Sequence, residues 1–175
     1  MKLDVSLDLA KGPFEKELAV PFDVAEVTVA GEARKVEGPE EVSLHLVFDG
    51  SHLSVDGGCD CSVTYPCDRC LTDTVVDSPV EISLDFPVSD GHIQVTPDDP
   101  EDFVENGHII DISAVIAEEL LIGKPGKVLC RPDCKGICPV CGQNLNEGTC
   151  NCDRTVPDPR MQQFQDVFKK FKEVE

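Results

Sequence analysis

The chain has 175 residues, with 34 Asp and Glu against 15 Lys and Arg, a formal net charge of −19, ten cysteines, eight Phe, one Tyr and no Trp. That length suits one ordinary domain, or a domain with a metal-stapled appendage, built around an aliphatic core. No stretch has the length of apolar sequence needed to span a bilayer, and the first dozen residues alternate acid with aliphatic, which excludes the apolar block of a secretory signal. The expected compartment is therefore a reducing cytosol, where clustered cysteines hold metal more often than they form disulfides.

The charge is unevenly placed. Residues 1–123 carry 6 Lys and Arg against 27 Asp and Glu, a net of −21, whereas residues 124–175 carry 9 against 7, a net of +2. The acidic part is a poor match for a bare phosphate backbone. Lys124, Lys127, Arg131 and Lys135 crowd the first tail cysteines and offer the place for direct RNA contact. We divide the chain accordingly into an acidic β-rich domain with a packing helix, 1–123, and a cysteine-rich metal-binding tail with a C-terminal helix, 124–175.

Taken in order, Leu3, Val5, Leu7 and Leu9 alternate with polar residues at the period of a half-buried strand. A short piece near Glu17 to Val20 follows, and then Ala25, Val27 and Val29, and Val42, Leu44, Leu46 and Phe48, alternate again. Gly31 and the Gly38-Pro39 pair punctuate hairpin connections. The next strand runs from about His52 to Tyr65 and sets Cys59, Cys61, Val63 and Tyr65 on one face, where the two cysteines read as small hydrophobes of the core rather than ligands. Pro66-Cys67-Asp68-Arg69-Cys70 turns the chain, and Leu71 to Phe86 returns as the partner strand, so that a long hairpin presents two thiols at its tip with Arg69 raising the local positive potential.

From Pro87 to Asn106 the sequence is acidic and broken by prolines, which predicts a partly mobile loop with a short strand at His92 to Val95. His45, His52, His92 and His108 have no ligand-like partner at fixed spacing. Asp111 caps a helix whose Ile112, Val115, Ile116 and Leu120 form one apolar stripe, ended by Gly123 and Pro125. Asp158-Pro159-Arg160 starts a last helix with Phe164, Val167, Phe168 and Phe171 on one side. The fold class is α+β: mainly an antiparallel β meander with a long hairpin, one packing helix, a cysteine-rich zinc-knuckle region and a C-terminal helix.

Six cysteines fall in the run from Cys130 to Cys152. In Cys138-Pro-Val-Cys141-Gly142 the two-residue gap lets both thiolates turn onto one cation while the glycine reverses the backbone. Cys150 and Cys152 complete a four-sulfur tetrahedral set with no histidine nearby. Cys67, Cys70, Cys130 and Cys134 are candidates for a second set. Alternatively, Cys130 or Cys134 completes the first and leaves the upstream pair alone. One or two structural zinc ions are expected, although a sulfur cage also accepts iron.

Together, the Cys67-Asp-Arg-Cys70-Leu71 turn, the acidic linker, the Asp111 helix, C-K-G-I-C-P-V-C-G-Q-N-L-N with Cys150 and Cys152, and Asp158-Pro159-Arg160 resemble the YceD family of large ribosomal RNA subunit accumulation proteins, some of them chloroplast forms. The resemblance implies a role in accumulation of the large-subunit (23S-type) ribosomal RNA, hence a ribosome biogenesis factor whose partners are large-subunit precursors or ribosomal and assembly proteins.

Beside that expectation of a cytoplasmic, non-enzymatic factor stand two others. A thiol redox protein would use Cys67 and Cys70, but the pair lies between two strands, whereas a thioredoxin-type pair opens a helix whose N-terminus lowers the thiol pKa. A zinc-ribbon RNA-binding protein would use the basic residues of the tail, but no aromatic stacking platform lies near the cysteines. Neither reading supplies an acid-base or nucleophile constellation.

Overall fold

The computed structural model describes residues 1–95 and 103–153, which form two compact units, one of Met1–Pro66 with Asp73–Val128 and one of Cys67–Thr72 with the described residues from Leu129 on. The described chain is mostly antiparallel β with two helices. The expected helix from Asp158 lies outside the described residues.

The first unit holds a seven-stranded sheet and a three-stranded one. In the larger, β2 (Phe14–Pro21) pairs with β5 (Glu41–Phe48), which pairs with β6 (His52–Pro66), and the hairpin of β3 (Glu26–Val29) and β4 (Glu32–Glu37) joins β6 through Val36 and Glu37. The other side of β6 is paired along its whole length, His52 to Pro87 through Pro66 to Asp73, with β7 (Asp73–Ser89), and β8 (His92–Ile93) adds to the end of β7. The side-chain period of two does the sorting. Even residues of β5 (Val42, Leu44, Leu46, Phe48), odd residues of β6 (Leu53, Val55, Cys61, Val63, Tyr65) and even residues of β7 (Val80, Ile82, Phe86) are all buried.

The smaller sheet joins β1 (Lys2–Asp4), β10 (Ile109–Asp111) and β9 (Val104–Glu105). From it springs α2 (Ile112–Ile122), capped by the Asp111 carboxylate, which accepts from the backbone N–H of Ser113 and Ala114. The Ile112, Val115, Ile116 and Leu120 stripe is buried in the same core as the sheet, and Gly123 ends the helix with a backbone bond to Glu119.

Two elements differ from the sequence reading. Residues Ser6–Leu9 make a single helical turn, α1, rather than continuing a strand, because the Asp4 carboxylate accepts from the Ser6 N–H at 2.9 Å and turns the chain, leaving Leu7 exposed while Val5 and Leu9 are buried. β4 had no alternation to announce it, since only Val36 of its six residues is buried, and it is specified by its turn: Ala30 and Gly31 both adopt positive φ, the two-residue loop that suits a hairpin. Among the described residues after Pro87, β7 runs on to Ser89 and β8 (His92–Ile93) stands where a short strand was expected.

Candidate metal centre

The second unit consists of turns gathered around sulfur. Its first set is Cys67, Cys70, Cys130 and Cys134, and its second Cys138, Cys141, Cys150 and Cys152; within each, the Sγ atoms lie within 4.8 Å of one another. In the first, Cys67 Sγ is 3.8 Å from Cys134 Sγ and Cys70 Sγ is 3.5 Å from Cys130 Sγ. Four sulfurs at the usual zinc–sulfur distance would stand about 3.8 Å apart at tetrahedral corners, so the donor set and spacing fit a single ion. Either cluster of four could hold a metal ion. Cys130 and Cys134 thus lie beside Cys67 and Cys70.

Local backbone chemistry makes these turns. In the first, the Leu71 N–H donates to the Cys67 carbonyl at 2.9 Å; in the second, the Gly142 N–H donates to the Cys138 carbonyl at 2.9 Å. Both residues are left-handed, Leu71 at φ 61° and Gly142 at φ 74°. Besides the sulfur contacts, the upstream turn is stitched to the tail by Arg69 Nη1 to the Cys134 carbonyl at 2.8 Å, the Ile137 N–H to the Arg69 carbonyl at 3.1 Å, and Asn144 Nδ2 to Thr72 Oγ1 at 3.4 Å. Gly136 is required there, because a Cβ on it would stand 3.0 Å from the Arg69 carbonyl oxygen. Arg69 thus spends part of its guanidinium on a carbonyl, a role its place between two cysteines did not announce.

The electrostatics divide each set. Burial pushes the Cys67 thiol up, but backbone N–H groups of Cys130, Arg69 and Cys70 aimed at its sulfur outweigh that and bring it to about 6. The Asn146 amide, 3.3 Å from Cys134 Sγ, holds that thiol below its ordinary range against burial, aided by the Gly136 N–H. Cys130 is instead pushed up to about 12, by burial and then by the thiols around it. In the second set the N–H groups of Cys141 and Val140 lower Cys138, while Cys141, burial and Cys150 push Cys152 up to about 12. Four thiols this close cannot all ionise without a counter-charge. A bound divalent cation supplies one, and a coordinating thiol is then deprotonated outright.

Sequence reasoning did not single out Asn146 or Gly136; the Cys134-Lys-Gly136 spelling, with glycine two residues after a candidate ligand, was the available signal. Cys59 and Cys61 stand apart from both sets. Their Sγ atoms are 3.4 Å apart on the inward side of β6, Cys61 is buried in the sheet core, and burial raises both thiols, Cys61 to about 12. His45 contacts Glu15 at 3.1 Å, and His92 meets His108 edge-on at 6.4 Å between centroids.

An acidic antiparallel sheet joined to a small unit of cysteine turns is the class of protein defined by these elements. The family model for large ribosomal RNA subunit accumulation protein YceD matches residues 55–168, and the chain belongs to the YceD family. It is 27% identical over 146 residues to the large ribosomal RNA subunit accumulation protein YCED homolog 1, chloroplastic, of Arabidopsis thaliana, covering 69% of this chain and 46% of that protein. The Zea mays protein of the same name is 24% identical over 168 residues, 80% of this chain and 57% of the relative. The chain thus spans about half the length of the curated relatives it matches. No solved structure matches it.

Proposed function

We propose that this chain is a non-enzymatic ribosome biogenesis factor that supports accumulation of large-subunit ribosomal RNA, and that its eight clustered cysteines hold two structural zinc ions. Membership of the YceD family carries the first part. The donor chemistry supports the second: four thiolates close a tetrahedral ion and leave no position for a substrate water, which is the pattern of structural rather than catalytic zinc. Bound there, zinc would contribute folding free energy to a unit whose apolar cluster, among the described residues, is Cys67, Cys70 and Cys134 with Leu129 and Cys130.

The partners that fit are large-subunit precursors and the ribosomal or assembly proteins on them, met in the cytoplasm. No helix of the described residues is long and apolar enough to cross a membrane. A net charge of −21 over residues 1–123 favours basic proteins over naked RNA. Lys124, Lys127, Arg131 and Lys135 are all exposed and are the residues through which direct RNA contact would be made. The redox reading is disfavoured because Cys67 and Cys70 have Cys134 and Cys130 as sulfur neighbours, the environment of a ligand set.

The test is depletion of the protein followed by quantification of both ribosomal RNA pools. A fall of large-subunit relative to small-subunit RNA is expected, and unchanged proportions would overturn the reading.

A further inference from the structure

Among the described residues the long strand β7 has one edge partnered throughout and one open over most of its length. β6 pairs with it throughout, whereas among the described residues the opposite edge meets only β8, at Val88 and Ser89. The direction of each residue's backbone follows from two bonds: the Val88 N–H donates to Ser51 on the β6 side, and the Pro87 carbonyl accepts from Gln94 on the β8 side. With an unbroken register, every odd residue from Asp73 to Asp85 therefore turns its N–H and carbonyl to the open edge. Pro79 falls in that odd series, where a missing N–H costs no ladder bond, which is where an edge strand tolerates proline.

The same odd residues carry the outward side chains. Asp73, Asp77, Glu81 and Asp85 recur at every fourth position, all exposed, with Val75 (64% exposed), Pro79 and Ser83 between them. Asp77, Glu81 and Asp85 have no ion-pair partner among the described residues, and the Ser54 hydroxyl at 3.3 Å is the side-chain donor to Asp85. Natural sheets blunt open edges by keeping them short or charged. This one is long, carries a single sign of charge, and has already accepted β8 at one end.

We propose that the open edge of β7 binds an extended, basic polypeptide segment by strand addition, with Lys or Arg at every fourth residue facing Asp73, Asp77, Glu81 and Asp85. Main-chain bonds to the odd residues would supply affinity and the spaced cations specificity. A nucleic acid is repelled by the carboxylates, and a second copy of this chain brings the same negative series to the edge. The proposal rests on the ribosome-biogenesis reading only for where such a segment is met. The experiment below reads the edge alone, so its failure and a failed depletion experiment are separate outcomes.

The probe is a 13-residue peptide, (Lys-Thr-Val-Thr)₃-Lys, titrated into the ¹⁵N-labelled full chain with its metal bound. Shifts and slowed exchange of the Asp73, Val75, Asp77, Glu81, Ser83 and Asp85 amides are expected. A peptide of the same sequence N-methylated at alternate residues should bind at least tenfold more weakly, as should the chain carrying Asp77→Lys and Glu81→Lys. Ser83→Pro removes one outward donor and no bond to β6, and should weaken binding at least fivefold at an unchanged melting temperature. Equal binding of the methylated peptide, shifts mapping elsewhere, or edge amides that shift with protein concentration alone would each overturn the proposal.

Discussion

The two cysteine sets use the same turn for different ends. Each begins with Cys-x-x-Cys, aims the N–H groups of the third and fourth residues at the first sulfur, and closes with a left-handed residue bonded back to the first carbonyl. The second set is local: its cysteines fall between Cys138 and Cys152, Cys141 is exposed, and the left-handed position is glycine. The first brings together cysteines some sixty residues apart, has Cys67, Cys70 and Cys134 buried, and puts leucine in the left-handed position with 64% of its surface exposed. A non-glycine residue there costs about 1–2 kcal/mol, and nothing buried repays it. The difference teaches that the long-range set must carry its own conformational cost, so that on the two-zinc proposal an ion there would do more structural work than one at the local set.

The largest effect should come from attacking the long-range set. Cys134→Ser is expected to lower the melting temperature by about 10 °C or more and to release one metal equivalent, because it opens a buried cage that closes a long loop. Cys141→Ser should also release one equivalent, but with less than half that shift, since its loop is short and its sulfur faces solvent. Scanning calorimetry beside metal analysis reads both, and equal shifts would remove the distinction. Chelator competition sharpens it further, with metal leaving in two phases and the faster one lost in Cys141→Ser.

The left-handed positions offer a smaller test with opposite signs. Gly142→Ala should destabilise by about 1 kcal/mol, whereas Leu71→Gly should be neutral or stabilising by up to about 1 kcal/mol. Urea denaturation monitored on the metal-bound chain decides the sign of each.

Acid provides the smallest effect and a control in the sheet unit. The Asp49 carboxylate accepts from the backbone N–H of His52 and Ser51, each at 2.7 Å, and is lowered from 3.8 to about 2. A depressed carboxylate stabilises the fold fully above its unfolded value and loses that contribution as pH falls through its folded one. Asp49→Asn should therefore flatten the stability curve between about pH 4 and 2, lowering stability at neutral pH and leaving it nearly unchanged below about pH 2. Metal held by the cysteine sets as proposed would leave as their thiolates take up protons, before that window.

Much of the sheet was legible because its strands alternate cleanly. Val42 to Phe48 and His52 to Tyr65 show the period of two, and Asp111 with its apolar stripe specifies α2 at cap and face. What escaped notice was set by partners rather than pattern. β4 buries only Val36, and β9 and β10 are two and three residues long, too short for a period to register. At Ser6–Leu9 the pattern misled, because Asp4, which supplied part of the polar half of the alternation, also turns the chain through its carboxylate. Both cysteine sets could be listed from spacing, but Asn146 and Gly136 act through sulfur and a carbonyl that only the folded turns bring near them.

The central structural claim is that eight cysteines form two closed sulfur cages. Elemental analysis of the full chain purified without chelator, combined with X-ray absorption at the metal edge, tests it most directly. The account predicts two zinc ions per chain, each with four sulfur ligands at about 2.3 Å. Less than half an equivalent of metal, or a first shell containing nitrogen or oxygen, would contradict it.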